Sequence, residues 1–213
     1  MRPIHHLTAA ALLLLTACTV PRPAPLDTVP GPRPPASSAP SGSPEPSGSS
    51  GSSAGVTLGA PASPCPLPVT FEAEPRWTAE AVDPAVGPVR QGPLTLRCEV
   101  NARPAGHVGF LRVWTGPAGG ATPRETLAAF LAADHSAGRA HYTETRAGGL
   151  PAATVTYTVT SELLDAPKPE RALAVTTPGG PVLLHLGGLD TTEHQALLPA
   201  LARAERTLRL AGN

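Results

Sequence analysis

The chain has 213 residues, with sixteen basic and sixteen acidic side chains and a formal net charge of zero. That balance excludes recognition of nucleic acid or of an anionic membrane surface by charge excess, because phosphate-binding proteins carry a clustered positive surplus. Only 3% of residues are aromatic while 28 are proline, so a core must rest on Leu, Val and Ala. Lys168 is the only lysine among the basic residues, a bias that reflects GC-rich coding and says nothing of mechanism.

From the start of the chain, Met1-Arg2-Pro3-Ile4-His5-His6 is a short, weakly positive stretch, and Leu7–Thr16 is an apolar run. The run is about half the length that a membrane-spanning helix needs, as in an export signal. It ends in Leu15-Thr16-Ala17-Cys18, which resembles the bacterial lipobox of Leu, two small residues and Cys. The small residues suit a peptidase site, and the Cys18 thiol is the nucleophile that takes up the lipid. Residues 1–17 are therefore expected to be a lipoprotein signal peptide and Cys18 the acylated N-terminus, since anchoring that lasts needs more than one chain. The competing readings are a secretory signal with a chance cysteine, or a buried helix. With no twin-arginine pair, the general secretory route is the default.

Residues 18–64 hold this lipidated Cys and a tether. Pro21-Arg22-Pro23-Ala24-Pro25 and Pro30-Gly31-Pro32-Arg33-Pro34-Pro35 give way to Ser47-Gly48-Ser49-Ser50-Gly51-Ser52-Ser53. Such a segment cannot offset its ordering entropy by burying apolar surface, so it is expected to be disordered. A coil of this length spans about 40 Å, and more where proline extends it. A docking tract for a proline-recognition domain and a glycosylated stalk are alternative uses of the same composition.

Residues 65–213, with thirteen basic and fourteen acidic side chains, are expected to form one extracytoplasmic domain. Val69-Thr70-Phe71 opens it, followed by Pro75-Arg76-Trp77. Leu94–Val100 alternates as a strand, with Leu94, Leu96, Cys98 and Val100 expected on one face. His107–Trp114 is apolar on both faces, as in a central strand. Thr122-Pro123-Arg124-Glu125 spells a capping box with proline at the first helical position, and the helix it starts turns Leu127, Phe130 and Leu131 to the core and is expected to end near Gly138. Strands follow over His141–Arg146 and Ala153–Val159. Arg171–Thr177 and Val182–Leu186 flank Pro178-Gly179-Gly180-Pro181, a hairpin signal. Thr191 opens a helix to about Leu208 with Leu197, Leu198, Leu201 and Ala204 as its stripe, and Pro199 is expected to kink or split it. The fold class is α+β: an antiparallel sheet covered by two main helices on one face.

With Cys18 lipidated, Cys65 and Cys98 remain. Outside the membrane such a pair is expected to form a disulfide, closing a loop of about 33 residues for a gain of about 3–4 kcal/mol in the chain-entropy model; a reactive thiol at Cys65 or two unpaired thiols are the alternatives. Asp134-His135-Ser136 contains the residue types of a hydrolase triad, but neighbours in sequence cannot form its relay. His185 and His194 lack metal-ligand spacing, and His185 falls opposite Val182, Leu184 and Leu186, the pattern of a solvent-facing strand histidine. Gly148-Gly149 and Gly187-Gly188 read as turns rather than phosphate cradles. Trp77 and Trp114 each suit one large core slot; a place at a ligand cleft is the other reading. The residues indicate no catalytic set, metal or cofactor.

Gly109-Phe110-Leu111-Arg112-Val113, the capped helix from Thr122, and Tyr142-Thr143-Glu144-Thr145 with Gly148-Gly149-Leu150-Pro151-Ala152 form an ordered set. With Val155-Thr156-Tyr157 and the closing Leu208-Arg209-Leu210, this set resembles actinobacterial LpqN-type lipoproteins of the PsbP-like fold. The chain departs from that pattern between Trp77 and Leu94 and in its cysteine pair. The resemblance implies a lipid-anchored protein on the extracytoplasmic face of the cell membrane, non-catalytic, and engaging an envelope protein partner. A carrier or sensor of a small apolar ligand in a sheet–helix cleft is the alternative, and an enzyme a third and weaker one. Membrane contact through Cys18 and no nucleic acid complete the expected partners.

Overall fold

Which backbone groups pair is decided by where each strand can bury both its faces. The computed structural model describes residues 55–83, 85, 87–162 and 166–212, and these belong to a compact unit, Ser49–Asn213. In chain order the first elements are β1 (Val56–Leu58), β2 (Val69–Ala73), β3 (Thr78–Ala81), β4 (Arg90–Gln91), β5 (Leu94–Asn101) and β6 (Gly109–Thr115). They are followed by α1 (Pro123–Ala132), β7 (Ala137–Ala147), β8 (Leu150–Val159), β9 (Lys168–Thr177), β10 (Gly180–Gly188), α2 (Thr191–Thr207) and β11 (Arg209–Leu210). The main sheet runs β3-β5-β6-β10-β9-β8-β7 with β4 beside β5, and a small sheet runs β1-β2-β11. Every strand pairing in both is antiparallel.

The central strands of the main sheet are buried on both sides. Leu111, Val113, Leu173, Val175, Val182, Leu184 and Leu186 share a core with Leu197, Ala200, Leu201 and Ala204 of α2 and with Val69 and Phe71 of the small sheet. The alternate residues Trp114, Ala172, Ala174, Leu183, Ala153 and Val155 share a second core with Leu127, Phe130 and Leu131 of α1. Alternate strand residues point to opposite faces, so the two helices lie on opposite faces. The expectation of both on one face is thereby corrected: the antiparallel, sheet-dominated α+β class stands, with one helix per face.

β5 shows how one strand serves both cores. Leu96 pairs with Trp114 and Cys98 with Val113, so a bulge at Arg97 shifts the register. Leu94 and Leu96 therefore join the α1 core and Cys98 and Val100 the α2 core, not one common face. The folded part also starts earlier than Cys65: β1 pairs Val56 with Ala73 and Leu58 with Phe71, inside the stretch assigned to the tether. Its three residues are too short a signal to stand out beside a Ser/Gly tract.

Local chemistry accounts for the helices. Thr122 Oγ1 accepts from Glu125 N at 3.2 Å while Glu125 Oε2 accepts from Thr122 N at 2.9 Å, and Pro123 fills the first position. The helix stops at Ala132, ahead of Gly138, because Asp134 Oδ1 accepts from Ser136 N at 2.9 Å and turns the chain. α2 runs unbroken from Thr191 to Thr207 across Pro199; the proline does not split it. Gly148 turns at φ 53°, and a Cβ there would lie 1.5 Å from the Leu208 carbonyl oxygen, so the turn reading holds. Gly187 and Gly188 instead finish β10; a Cβ on Gly188 would meet His194 N at 2.6 Å, so the glycine admits the first turn of α2. Trp77 and Trp114 are both buried, Trp114 edge-on to Phe130 at 5.4 Å between ring centres. Among the described residues no helix is long and apolar enough to cross a membrane.

Candidate functional site

Strand register brings four polar side chains together beneath α1. Tyr157 of β8 lies directly opposite Glu170 of β9, and His185 of β10 opposite Ala172. Tyr157 donates its hydroxyl to Glu170 Oε2 at 2.9 Å, and His185 Nε2 lies 2.7 Å from the same oxygen and 3.0 Å from the tyrosine oxygen. Lys168 Nζ donates to Glu170 Oε1 and, at 3.0 Å, to the Gly188 carbonyl. An ionised carboxylate only accepts, so His185 must carry its proton on Nε2; its buried Nδ1 has no partner. The Phe130 ring sits 5.5 Å from the imidazole. His185 is therefore not solvent-facing: its parity was legible, but that face is roofed by α1.

Burial by itself would raise the Glu170 carboxyl, but the hydrogen bond and charge of His185, and then those of Lys168, outweigh it and hold the group down at about 2. Burial, then the Glu170 charge, pushes the Tyr157 phenol up. With its oxygens occupied by three donors, Glu170 ties the ends of β8, β9 and β10 together as an internal lock. The signal for it was present: Lys168 and Glu170 alternate on β9 with the same parity as Ala172 and Ala174, and His185 interrupts the apolar run Val182–Leu186 of β10. The hairpin signal already set β9 beside β10; what could not be seen was that β8 lies on the other side of β9 and sets Tyr157 opposite Glu170.

His194 is also buried, in the first turn of α2, with Nδ1 unpartnered. Burial lowers its pKa, opposed by the Glu170 charge and reinforced by Lys168, His185 and Arg171. In Asp134-His135-Ser136, Asp134 and Ser136 bond to each other while His135 is exposed; the three form a turn, not a relay. Among the described residues no group of three or more His, Cys, Asp or Glu is placed to hold a metal ion. Cys65 and Cys98 are joined by a disulfide with Cα atoms 5.9 Å apart, both buried. It ties the loop before β2 to β5 beside the bulge. Cys18 lies outside the described residues.

Several clefts open on the surface around this frame. One of about 560 Å³ is bordered by Cys65, Leu67, Val82, Arg97 and Thr115. A second, of about 370 Å³, lies between the Pro75-Arg76-Trp77 turn and α2 near Pro199. A third, of about 180 Å³, lies at the start of α1 between Leu94, Thr126, Ala129 and Pro181.

The strands, the two helices and the buried Glu170 lock together make a small, sheet-dominated α+β domain. The chain belongs to a family of lipoproteins described as uncharacterised, whose profile matches residues 35–208. No curated protein matches the sequence. The solution structure of cyanobacterial PsbP (CyanoP) from Synechocystis sp. PCC 6803 matches at 12% identity and a TM-score of 0.48, over 67% of this chain and 86% of that one.

Proposed function

We propose that this lipoprotein is an accessory module, non-catalytic, that binds a protein partner at the extracytoplasmic face of the cell membrane, held there by acylated Cys18. Membership of a lipoprotein family supports the anchor. The finer assignment, to the LpqN type with a PsbP-like fold, belongs to the same proposal and rests on the strings between Gly109 and Leu210.

The observation that carries protein binding is the open edge of β7. This strand has eleven residues and ends the main sheet, with β8 as its one neighbour in the described residues and with His141, Thr143 and Glu144 exposed. An edge of that length offers backbone N–H and C=O groups to an added strand. The bulge between Gly138 and His141, flanked by Arg139 and Glu144, limits indiscriminate pairing. Anchoring raises the effective concentration near other membrane-bound proteins without tight affinity. A photo-crosslinking residue at Thr143, and another at Arg206 as control, tests this in living cells. A discrete protein adduct from position 143 and none from 206 is expected; equal adducts from both, or none from either, contradicts the proposal.

The cleft at the start of α1 favours a second reading, a carrier of a small apolar ligand. Pro93, Leu94, Pro117, Ala129 and Pro181 give it apolar walls, and about 180 Å³ admits only a small group. A metabolite or lipid retained in native mass spectra, and lost on Ala129→Trp, would favour this reading over the first.

A further inference from the structure

Arg97 is the extra residue of the β5 bulge: its neighbours Leu96 and Cys98 oppose the adjacent residues Trp114 and Val113, and nothing opposes Arg97 itself. Bulges commonly redirect a side chain out of the regular alternation, and here the redirected group is fixed from several sides. The Arg97 carbonyl accepts from Val82 N at 3.0 Å. Its Nε donates to Thr115 Oγ1 at 3.2 Å, and the next residue is the buried half of the disulfide. Both Nη groups are left without a protein acceptor among the described residues.

Arg97 and Thr115 border two clefts at once. The larger, of about 560 Å³, has Pro66, Leu67, Pro68, Ala81 and Val82 along its walls. The other, of about 370 Å³, adds Arg90 and Thr95. Neither cleft has an aspartate or glutamate in its lining. The ion pairs of the described residues engage Arg112, Arg203, Lys168, His107 and His185, and neither Arg90 nor Arg97. The result is a groove with apolar walls at one end and two guanidinium groups and two hydroxyls at the other. Guanidinium forks match oxyanions in geometry as well as charge.

We propose that this groove binds the oxyanion head of a small amphiphile, a phosphate or carboxylate held by Arg97 and Arg90 with its apolar part against Leu67 and Val82. This site is independent of β7 and of the partner proposed above. It is tested by titrating the full chain carrying Cys18→Ala with hexyl phosphate, inorganic phosphate and hexanol by calorimetry. Saturable binding of hexyl phosphate is expected, at least tenfold tighter than either of the other two. Arg97→Gln and Arg90→Gln should each weaken it about tenfold, the scale of one charged hydrogen bond, while Arg206→Gln, an exposed arginine elsewhere, leaves it unchanged. No saturable binding, inorganic phosphate binding as tightly as hexyl phosphate, or equal losses in Arg97→Gln and Arg206→Gln overturns the site. The exposed position of Arg97 lets the fold survive its replacement, and an unchanged unfolding midpoint in each variant verifies that.

Discussion

Glu170 is a buried carboxylate on β9, on the same face as the buried Ala172 and Ala174. It persists as a charge because Lys168, His185 and Tyr157 surround it, and removing one member of such a buried set leaves the others uncompensated. Glu170→Gln is therefore expected to cost about 3 kcal/mol in urea unfolding at neutral pH; a loss no larger than that of an exposed Glu144→Gln control would refute the lock. The sign of its pH dependence follows from a folded pKa of about 2 against an ordinary 4.5. The stabilisation is complete above pH 4.5 and disappears as pH falls from there to about 2. His194 acts at milder acidity. Its folded pKa lies below the ordinary 6.5, so the unfolded chain takes up the proton first and stability drops as pH falls below 6.5. Melting temperatures at pH 7 and pH 5 should show this decline in the natural chain and a smaller one in His194→Leu. At this scale Glu170 and His185 were legible as polar residues on the two strands of a hairpin, but Tyr157 comes from β8, which only the sheet order sets beside β9.

Elements written by local rules could be read in advance. The Thr122 capping box, the Pro178–Pro181 hairpin and the cysteine pair all depend on residues close in sequence or few in number. Thr122→Ala should cost about 1 kcal/mol, because the cap supplies a backbone N–H with its acceptor; an unfolding midpoint unchanged from the natural chain would show that the cap is not rate- or stability-relevant. Replacing Cys65 and Cys98 together by Ala should cost about 3 kcal/mol, given a separation of 33 residues, with the same loss produced in the natural chain by reductant. Two features escaped. The Arg97 bulge has no sequence signature, since Leu94, Leu96, Cys98 and Val100 keep perfect alternation while the backbone changes face. β1 escaped because Val56-Thr57-Leu58 is shorter than any window in which period-2 patterning is distinct.

For the molecule as a whole, the order and periodicity of the elements indicated one α+β domain and an antiparallel sheet, whereas the two helices lie on opposite faces and not on one. A strand buried on both faces and a strand roofed on one look different only when polar residues mark the solvent side. Here His185, Glu170 and Tyr157 mimic that mark while lying inside. The same ambiguity makes His185 read as a solvent-facing residue from its strand pattern. The proposed function is to hold a protein partner at the membrane through a lipid-anchored domain. Chemical crosslinking of the intact lipoprotein in living cells, followed by mass spectrometry and compared with Cys18→Ala, tests it most directly. A specific protein captured with Cys18 present and lost with Cys18→Ala is the expected result; capture of no protein, or of the same protein in equal yield by both forms, overturns the proposed function.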